Sequence, residues 1–271
     1  MSSSAGDQPP LPVTNRLELE AHAIVGIRAA NAGPFTLSGT NTWIVGRDPA
    51  WLVDPGPTLA EHVASVIAEL ERRGGLGGVA LTHDHVDHSE AVPAIRERFP
   101  DAPLAAARGE VDARLSDGDT FGPLEAVQTA GHAPDHYAFL AGRVALTGDA
   151  VLGEGSVFIT PDPGALASYL DGLRRLRDRD LELILPGHGP VVDEPAAKLD
   201  QYISHRLDRE RRLINALQNG RRTVDELLDD VWDDAPVQLR PLAKVTLAAH
   251  LDKLADEGRL PEGVERPPRS W

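Results

Sequence analysis

An α/β fold followed by a small all-helical module is what this sequence predicts, on three observations. Between residues 17 and 185, short β-rich apolar runs alternate with amphipathic helical stretches and with turns of Gly, Pro, Asn and Asp. The segments rich in His and Asp stand just past those runs, where sheet-based enzymes place their chemistry. Past Pro195 only helical patterning remains.

The elements follow in order. Residues 1–16 open with MSSSAGDQPPLP, which has neither a basic start nor an apolar core, and they are expected to form a disordered tail rather than a signal peptide. Apolar runs over 17–27, 42–45 and 51–53, separated by Gly46, Asp48 and Pro49, predict a β-meander. Between them NAGPFTLSGT (31–40) reads as a loop or flap. Thr58 is expected to cap a helix whose Leu59, Val63, Val66, Ile67 and Leu70 share one face, with Gly74 and Gly75 ending it. A short buried strand is predicted over 79–82, then a helix near 90–98. Strands follow around Leu104 and over 125–129, 137–140 and 144–146, then a helix near 166–176 and a strand over 181–185. Helices over 196–218, 223–231 and 239–258 complete the chain, with Arg259, Leu260 and Pro261 as a small wing or final strand. The expected division is a tail (1–16), a catalytic domain (17–195) and a helical module (196–271).

Composition narrows the chemistry. Among 271 residues, 42 Asp and Glu face 27 Lys and Arg, a net charge of -15 that argues against a nonspecific polyanion binder. There is no cysteine, which removes disulfides, thiolate nucleophiles and Cys-ligated zinc, so any metal must be held by His and carboxylate. No apolar run approaches the roughly 18 residues of a membrane span. A cytoplasmic protein with no membrane partner is the expectation.

The decisive segment is THDHVDH (82–88), an H-x-H-x-D-H run. A loop leaving a strand splays alternate side chains to one side, so His83 and His85 can share one metal while Asp87 and His88 reach a second. His132 stands in GHAPDH, Asp149 in TGDA and His188 in PGHGP, each after a predicted strand and each beside glycines that let the backbone turn sharply. Assigned by chemistry, His83, His85 and His132 hold one ion, Asp87, His88 and His188 the other, and Asp149 bridges them. Asp54, ending a strand beside the His-rich loop, is expected to fix that loop by hydrogen bonds, and His136 either to orient a ligand or to pack beneath it.

With these residues in place, the sequence strongly resembles the metallo-β-lactamase superfamily, whose five motifs match Asp54 in VDPG, the H-x-H-x-D-H run, His132, Asp149 and His188. Within it, GTNTW (39–43), GDAVLGEG (148–155), PGHGPV (186–191) and QYISHR (201–206) resemble the β-lactamase-like protein 2 family. The resemblance spans residues 19–260. It implies an αββα sandwich with a dinuclear site, usually zinc, at one edge, followed by a winged-helix-like module. Two departures bear on substrate: Ser89 and Glu90 replace the Gly-Gly of many relatives, and Asp135 stands where thioester-cleaving relatives usually carry Gly.

His22, His62 and His250 read as ordinary surface histidines. Arg209, Arg211, Arg212, Arg221 and Arg222 read as a solvated helix face with charge pairs. Tyr202, His205 and Arg206, on the helix after the His188 loop, are candidates to hold an anionic group, and Phe35 and Asn41 to contact substrate from the flap. From Thr223 onward eleven Asp and Glu outnumber six Lys and Arg, so specific DNA binding by the winged helix is not expected. That module is expected to pack on the catalytic domain, wall the cleft or form a homodimer contact.

The mechanism that follows is hydrolysis by a metal-bridging hydroxide, with two divalent ions ~3.5–4 Å apart and Asp87 orienting the water. No G-x-S-x-G elbow is present to suggest a serine nucleophile. Resemblance to β-lactamase-like protein 2 implies single-stranded RNA as substrate, whereas resemblance to glyoxalase II implies small esters or thioesters. The alternative is a mononuclear-iron persulfide dioxygenase on the same fold, against which the C-terminal module counts.

Overall fold

A computed structural model describes residues 15–268. Residues 1–14 of the expected tail lie outside the described residues, and Arg16 already begins the first strand. The first sheet runs β1 (Arg16–Leu19), β2 (Ile24–Arg28), β3 (Asn41–Val45), β4 (Ala50–Val53), β5 (Leu76–Ala80), β6 (Leu104–Ala106) and β7 (Ala113–Arg114), neighbours in that order. Its outer face carries α1 (Ala60–Arg72) and α3 (Val92–Arg98), and the single turn α2 (Val86–Ser89) lies in the loop after β5. The second sheet has the order β12-β11-β10-β9-β8, from β8 (Thr120–Phe121), β9 (Leu124–Gln128), β10 (Tyr137–Ala141), β11 (Val144–Gly148) and β12 (Leu183–Pro186). Helix α4 (Ala165–Arg177) and the first half of α5 (Pro195–Gln218) cover it.

Alternation along the strands sorts side chains between layers. On β3, Trp43 and Val45 enter the core between the sheets while Ile44 faces α1. On β10, Phe139 enters the same inter-sheet core while Ala138 and Leu140 meet Tyr169 and Leu173 of α4. Four layers result, an αββα sandwich, as the sequence led us to expect.

Helix α5 belongs to two cores. Leu199 and Tyr202 pack with α4, while Leu213, Ala216 and Leu217 pack with α6 (Val224–Val231) and α7 (Arg240–Asp256). Thr223 caps α6 with a complete capping box, exchanging hydrogen bonds with Glu226. The expected wing at residues 259–261 forms no strand. That segment is irregular and lies between two turns, and the chain beyond it is tied back where Glu265 N–H donates to the Arg222 carbonyl (2.8 Å). Thr58 does not cap α1 either: Leu59 takes that position, and the Thr58 N–H is bonded instead to Glu90 Oε2 (2.9 Å). No described helix is long and apolar enough to cross a membrane.

Two of the three expected surface histidines are buried. His62 Nε2 lies 3.0 Å from Thr42 Oγ1 and 3.0 Å from the Pro55 carbonyl. His250, on α7, is 0% exposed against the Trp232 ring, and neither of its ring nitrogens has a hydrogen-bond partner among the described residues. Burial first, and then Arg206 and Lys253, push its pKa down to about 3. Below the ordinary value of 6.5 the unfolded chain therefore takes up a proton that the folded chain refuses, and stability falls as pH falls. His250→Leu removes that dependence. Between pH 8 and pH 5 the variant is expected to gain about 2 kcal/mol on the wild type. Urea denaturation at both pH values checks it, and parallel curves would contradict it.

Candidate functional site

Five strand ends at one edge of the sandwich supply the site. The loops after β4, β5, β9, β11 and β12 carry Asp54, the 83–88 run, His132 and His136, Asp149, and His188 respectively. Neighbouring strands bring residues far apart in sequence within ångströms of one another, and two groups form. Potential ligand atoms of His83, His85, His132 and Asp149 lie within 4.8 Å of one another, as do those of Asp87, His88 and His188. The carboxylate of Asp149 faces both groups. Its Oδ2 is 3.4 Å from His132 Nε2, and its Oδ1 is 3.3 Å from His188 Nε2 and 3.5 Å from His88 Nε2.

The backbone permits this approach only where side chains are absent. A Cβ on Gly187 would stand 2.7 Å from Asp149 Oδ1 and 2.7 Å from His88 Cε1. Gly148 has φ +46°, and a Cβ there would meet Thr82 Oγ1 at 2.5 Å.

Asp54 itself has φ +52°, in the left-handed region that few residues other than Gly, Asn and Asp enter. That turn aims its carboxylate across the loop. Oδ1 accepts from the Thr82 N–H (2.8 Å), and Oδ2 accepts from Thr82 Oγ1 (2.7 Å) and lies 2.9 Å from His88 Nδ1. His136 acts similarly on the other side. Its Nε2 accepts from the Asp149 N–H (3.0 Å), which leaves Nδ1 to donate to Thr129 Oγ1 (2.8 Å). Both residues hold the backbone or ring of a predicted ligand.

Charge divides the site. Burial opposes ionisation of Asp149, yet His88 and His188 outweigh it and hold the carboxyl well below the usual range. Asp87 is likewise lowered to about 2, against burial, by the His188 hydrogen bond and the His88 charge. In return His188 is raised to about 9 by Asp149 and Asp87, despite burial. The other group behaves oppositely: burial, reinforced by neighbouring rings, lowers His83 well below its ordinary value, and burial lowers His132 to about 4.

The donor set suits a borderline divalent cation. It offers imidazole and carboxylate without sulfur, and His83 Nε2 is buried with no hydrogen-bond partner among the described residues. His132 Nε2 and His85 Nδ1 face each other at 3.1 Å, an arrangement that a shared cation or a single proton would stabilise.

The substrate-contact expectations divide. Phe35 stands 61% exposed at the cavity rim as expected of a flap residue. Asn41 is buried beneath, its Nδ2 donating to the Pro186 and Gly189 carbonyls (3.1 and 3.0 Å). Tyr202 and Arg206 turn inward as well. The Tyr202 hydroxyl accepts from Leu152 N–H (3.1 Å) and donates to the Gly155 carbonyl (3.1 Å), while Arg206 Nη2 holds Ser156 Oγ (2.9 Å) and the Val157 carbonyl. Both are buried and fasten the 152–158 loop, so neither is turned to hold an anionic group as expected. His205 lines an adjoining cavity beside Ser156 and Asp208. Of the other arginines, Arg211 pairs with Asp208 one turn away on α5, as a solvated helix would, whereas Arg212 pairs with Asp233 just past α6, and Arg221, past the end of α5, with Asp230 on α6. Arg209 is instead buried, donating to the Val231 carbonyl and Asp234.

The structure adds residues that the sequence did not mark. Thr40 Oγ1 donates to Asp87 Oδ2 (3.0 Å), and Asn31 holds Thr40 through both its N–H and its hydroxyl (2.9 Å each). Phe158 stacks edgewise on His132, centroids 4.7 Å apart. Leu239 and Leu242 reach the same cavity from the C-terminal module.

Residues 107–188 match the Metallo-beta-lactamase superfamily, and residues 223–271 the Beta-lactamase associated winged helix domain. The chain is 30% identical to the Beta-lactamase-like protein 2 homolog of Caenorhabditis elegans, over 92% of its own length and 90% of that protein. The chain belongs to the metallo-beta-lactamase superfamily. Members of this superfamily are generally hydrolytic enzymes, and one similar to this chain is the Atrochrysone carboxyl ACP thioesterase of Aspergillus chevalieri, 32% identical over 87% of this chain and 80% of that one. The fold is shared with a metallo-beta-lactamase family protein from Thermus thermophilus (TM-score 0.69, 21% identity, 87% of this chain and 94% of that one) and with a Beta-lactamase domain protein from Burkholderia ambifaria (TM-score 0.75, 20% identity, 94% and 93%).

Proposed function

We propose that this superfamily member is a dinuclear, zinc-dependent hydrolase of esters or thioesters. His83, His85 and His132 would hold one ion, Asp87, His88 and His188 the second, and Asp149 both. The observation that carries this reading is the Asp149 carboxylate, which turns one oxygen to each cluster. When bound, the two ions would lower the pKa of a coordinated water and polarise the scissile carbonyl.

The chain's own residues do the rest. Asp87, anionic at neutral pH and steered by Thr40, would orient the attacking water and accept its proton at the carboxylate. Water adds to the carbonyl carbon, the C–S or C–O bond breaks, and the products are an acid and a thiol or alcohol. Asp54 and His136 keep the ligand rings and backbone in place throughout.

The cavity beside the clusters, about 340 Å³, favours a small substrate over RNA. Among the described residues no Lys or Arg lines it, while Glu154, Asp87 and Asp149 do. A polynucleotide draws its affinity from cations along its phosphates, so this cleft offers it little. The thioesterase name of the Aspergillus relative supports the same direction.

Thioester, ester and single-stranded RNA substrates assayed side by side at increasing salt test the reading. Thioester or ester turnover by zinc-loaded protein, nearly insensitive to salt, is expected. RNA cleavage as the dominant activity, falling steeply with salt, would overturn the substrate class. One iron per chain with oxygen uptake would overturn the hydrolase itself.

A further inference from the structure

The cavity at the metal clusters has two lips from opposite ends of the chain. One is the flap, closed on itself by the Gly33–Leu37 bridge and the Asn31–Thr40 hydrogen bonds, which presents Phe35 and Leu37. The other is the junction of α6 and α7, where a 3-10 turn (Val237–Leu239) leads into α7 and presents Leu239 and Leu242. Phe158, on the loop fastened by Tyr202 and Arg206, lines the same cavity. Among the described residues few large apolar side chains stand exposed, and Phe35 (61%) and Leu239 (41%) are two of them, lining the same cavity. Exposed apolar side chains gathered on one rim mark a binding surface more than chance scatter does.

We propose that the C-terminal module completes the substrate site. Leu239 and Leu242, with Phe35 and Leu37 opposite, form an apolar subsite that selects esters and thioesters of aryl or medium-chain acids over acetyl. This rests on the hydrolase reading above. The subsite takes the acid rather than the thiol because biological thiol carriers are polar along their length, so the apolar part of such a substrate is its acyl group. The winged-helix-like module, acidic and unsuited to phosphates, thus acts as a specificity wall.

Matching substrates separate this inference from the reading beneath it. With zinc-loaded protein, kcat/KM is measured for acetyl, octanoyl and benzoyl thioesters of one thiol, in wild type, Leu239→Ser/Leu242→Ser and Phe35→Ser. The wild type is expected to prefer octanoyl or benzoyl over acetyl at least tenfold. The double variant should lower that ratio by about 10–100-fold, the scale on which lost apolar contacts discriminate substrates. Leu207→Ser, an equally exposed leucine on α5 outside the cavity, should leave the ratio unchanged. Calorimetry of octanoate binding provides a second readout, with affinity weakened in the double variant. Acetyl turnover as fast as both octanoyl and benzoyl turnover, or a ratio unmoved by the double variant, would overturn the subsite while leaving the hydrolase intact. No turnover of any ester or thioester by protein carrying two ions would overturn both.

Discussion

Asp149→Ala is expected to abolish hydrolysis and metal loading together. The residue is only 7% exposed, and no other carboxylate among the described residues reaches both clusters. Removing it takes one donor from the His83, His85 and His132 group. It also leaves His88 and His188 without the anion that raises their proton affinity, so two buried rings would face each other at 3.3 Å with only Asp87 and Asp54 to balance them. Loss of a hydrogen-bond partner behind a ligand typically costs 10–100-fold in affinity or activity, and loss of a ligand serving two ions should exceed that. Elemental analysis beside kcat/KM decides the matter. A variant that kept two ions per chain and turnover within about tenfold of wild type would show that the clusters do not share Asp149.

Most of the candidate ligand set was legible because its chemistry is local. A His-rich run past a strand end, and single His or Asp residues framed by Gly past other strand ends, need no tertiary information to be noticed, and the sandwich brings them together. What escaped depends on which way a helix faces. Tyr202 and Arg206 sit on a helix whose period is plain in sequence, but rotation about its axis is set by packing on α4, and that packing turns both side chains onto the 152–158 loop. Leu239, Leu242 and Phe158 escaped for a different reason: apolar residues near helix starts and in loops are ordinary, and only the meeting of two distant segments makes them a cleft. Strands β7 and β8, two residues each, are too short for alternation to register. The expected boundary at Pro195 marks where strands cease, whereas the packing changes within α5, between Tyr202 and Leu213.

The largest stability effect is expected far from the site, at Arg73. Its side chain is wholly buried, an unusual place for a guanidinium, and every contact explains why it is tolerated. Nε donates to Glu69 Oε1 (2.7 Å), and Nη1 donates to the carbonyls of Ala23 (2.7 Å) and Gly46 (2.8 Å). Those carbonyls belong to the turns joining β1 to β2 and β3 to β4, and the Arg73 carbonyl accepts from Asp48 N–H in the second turn (2.9 Å). One residue after α1 therefore ties two turns of the first sheet to the helix that covers it. Arg73→Met keeps the apolar stem but leaves two carbonyls and a buried carboxylate short of donors. A loss of about 3–5 kcal/mol is expected, the usual scale for removing one partner of a buried pair. Arg16 and Arg72 still reach Glu69, which holds the loss toward the lower end. The pH dependence identifies the cause. Burial opposes the charge on Glu69, but its three arginines bring its pKa down from the ordinary 4.5 to about 2. A carboxyl depressed in the folded state stabilises it above pH 4.5, and that contribution, roughly 3 kcal/mol, disappears as pH falls from 4.5 to 2. The gap between wild type and Arg73→Met should therefore be widest at neutral pH and narrow through that interval. Denaturant unfolding at pH 7, 4 and 3 measures it. A gap below about 1 kcal/mol at pH 7, or one that holds constant down to pH 3, would show that the Glu69 pairing is not what the guanidinium contributes.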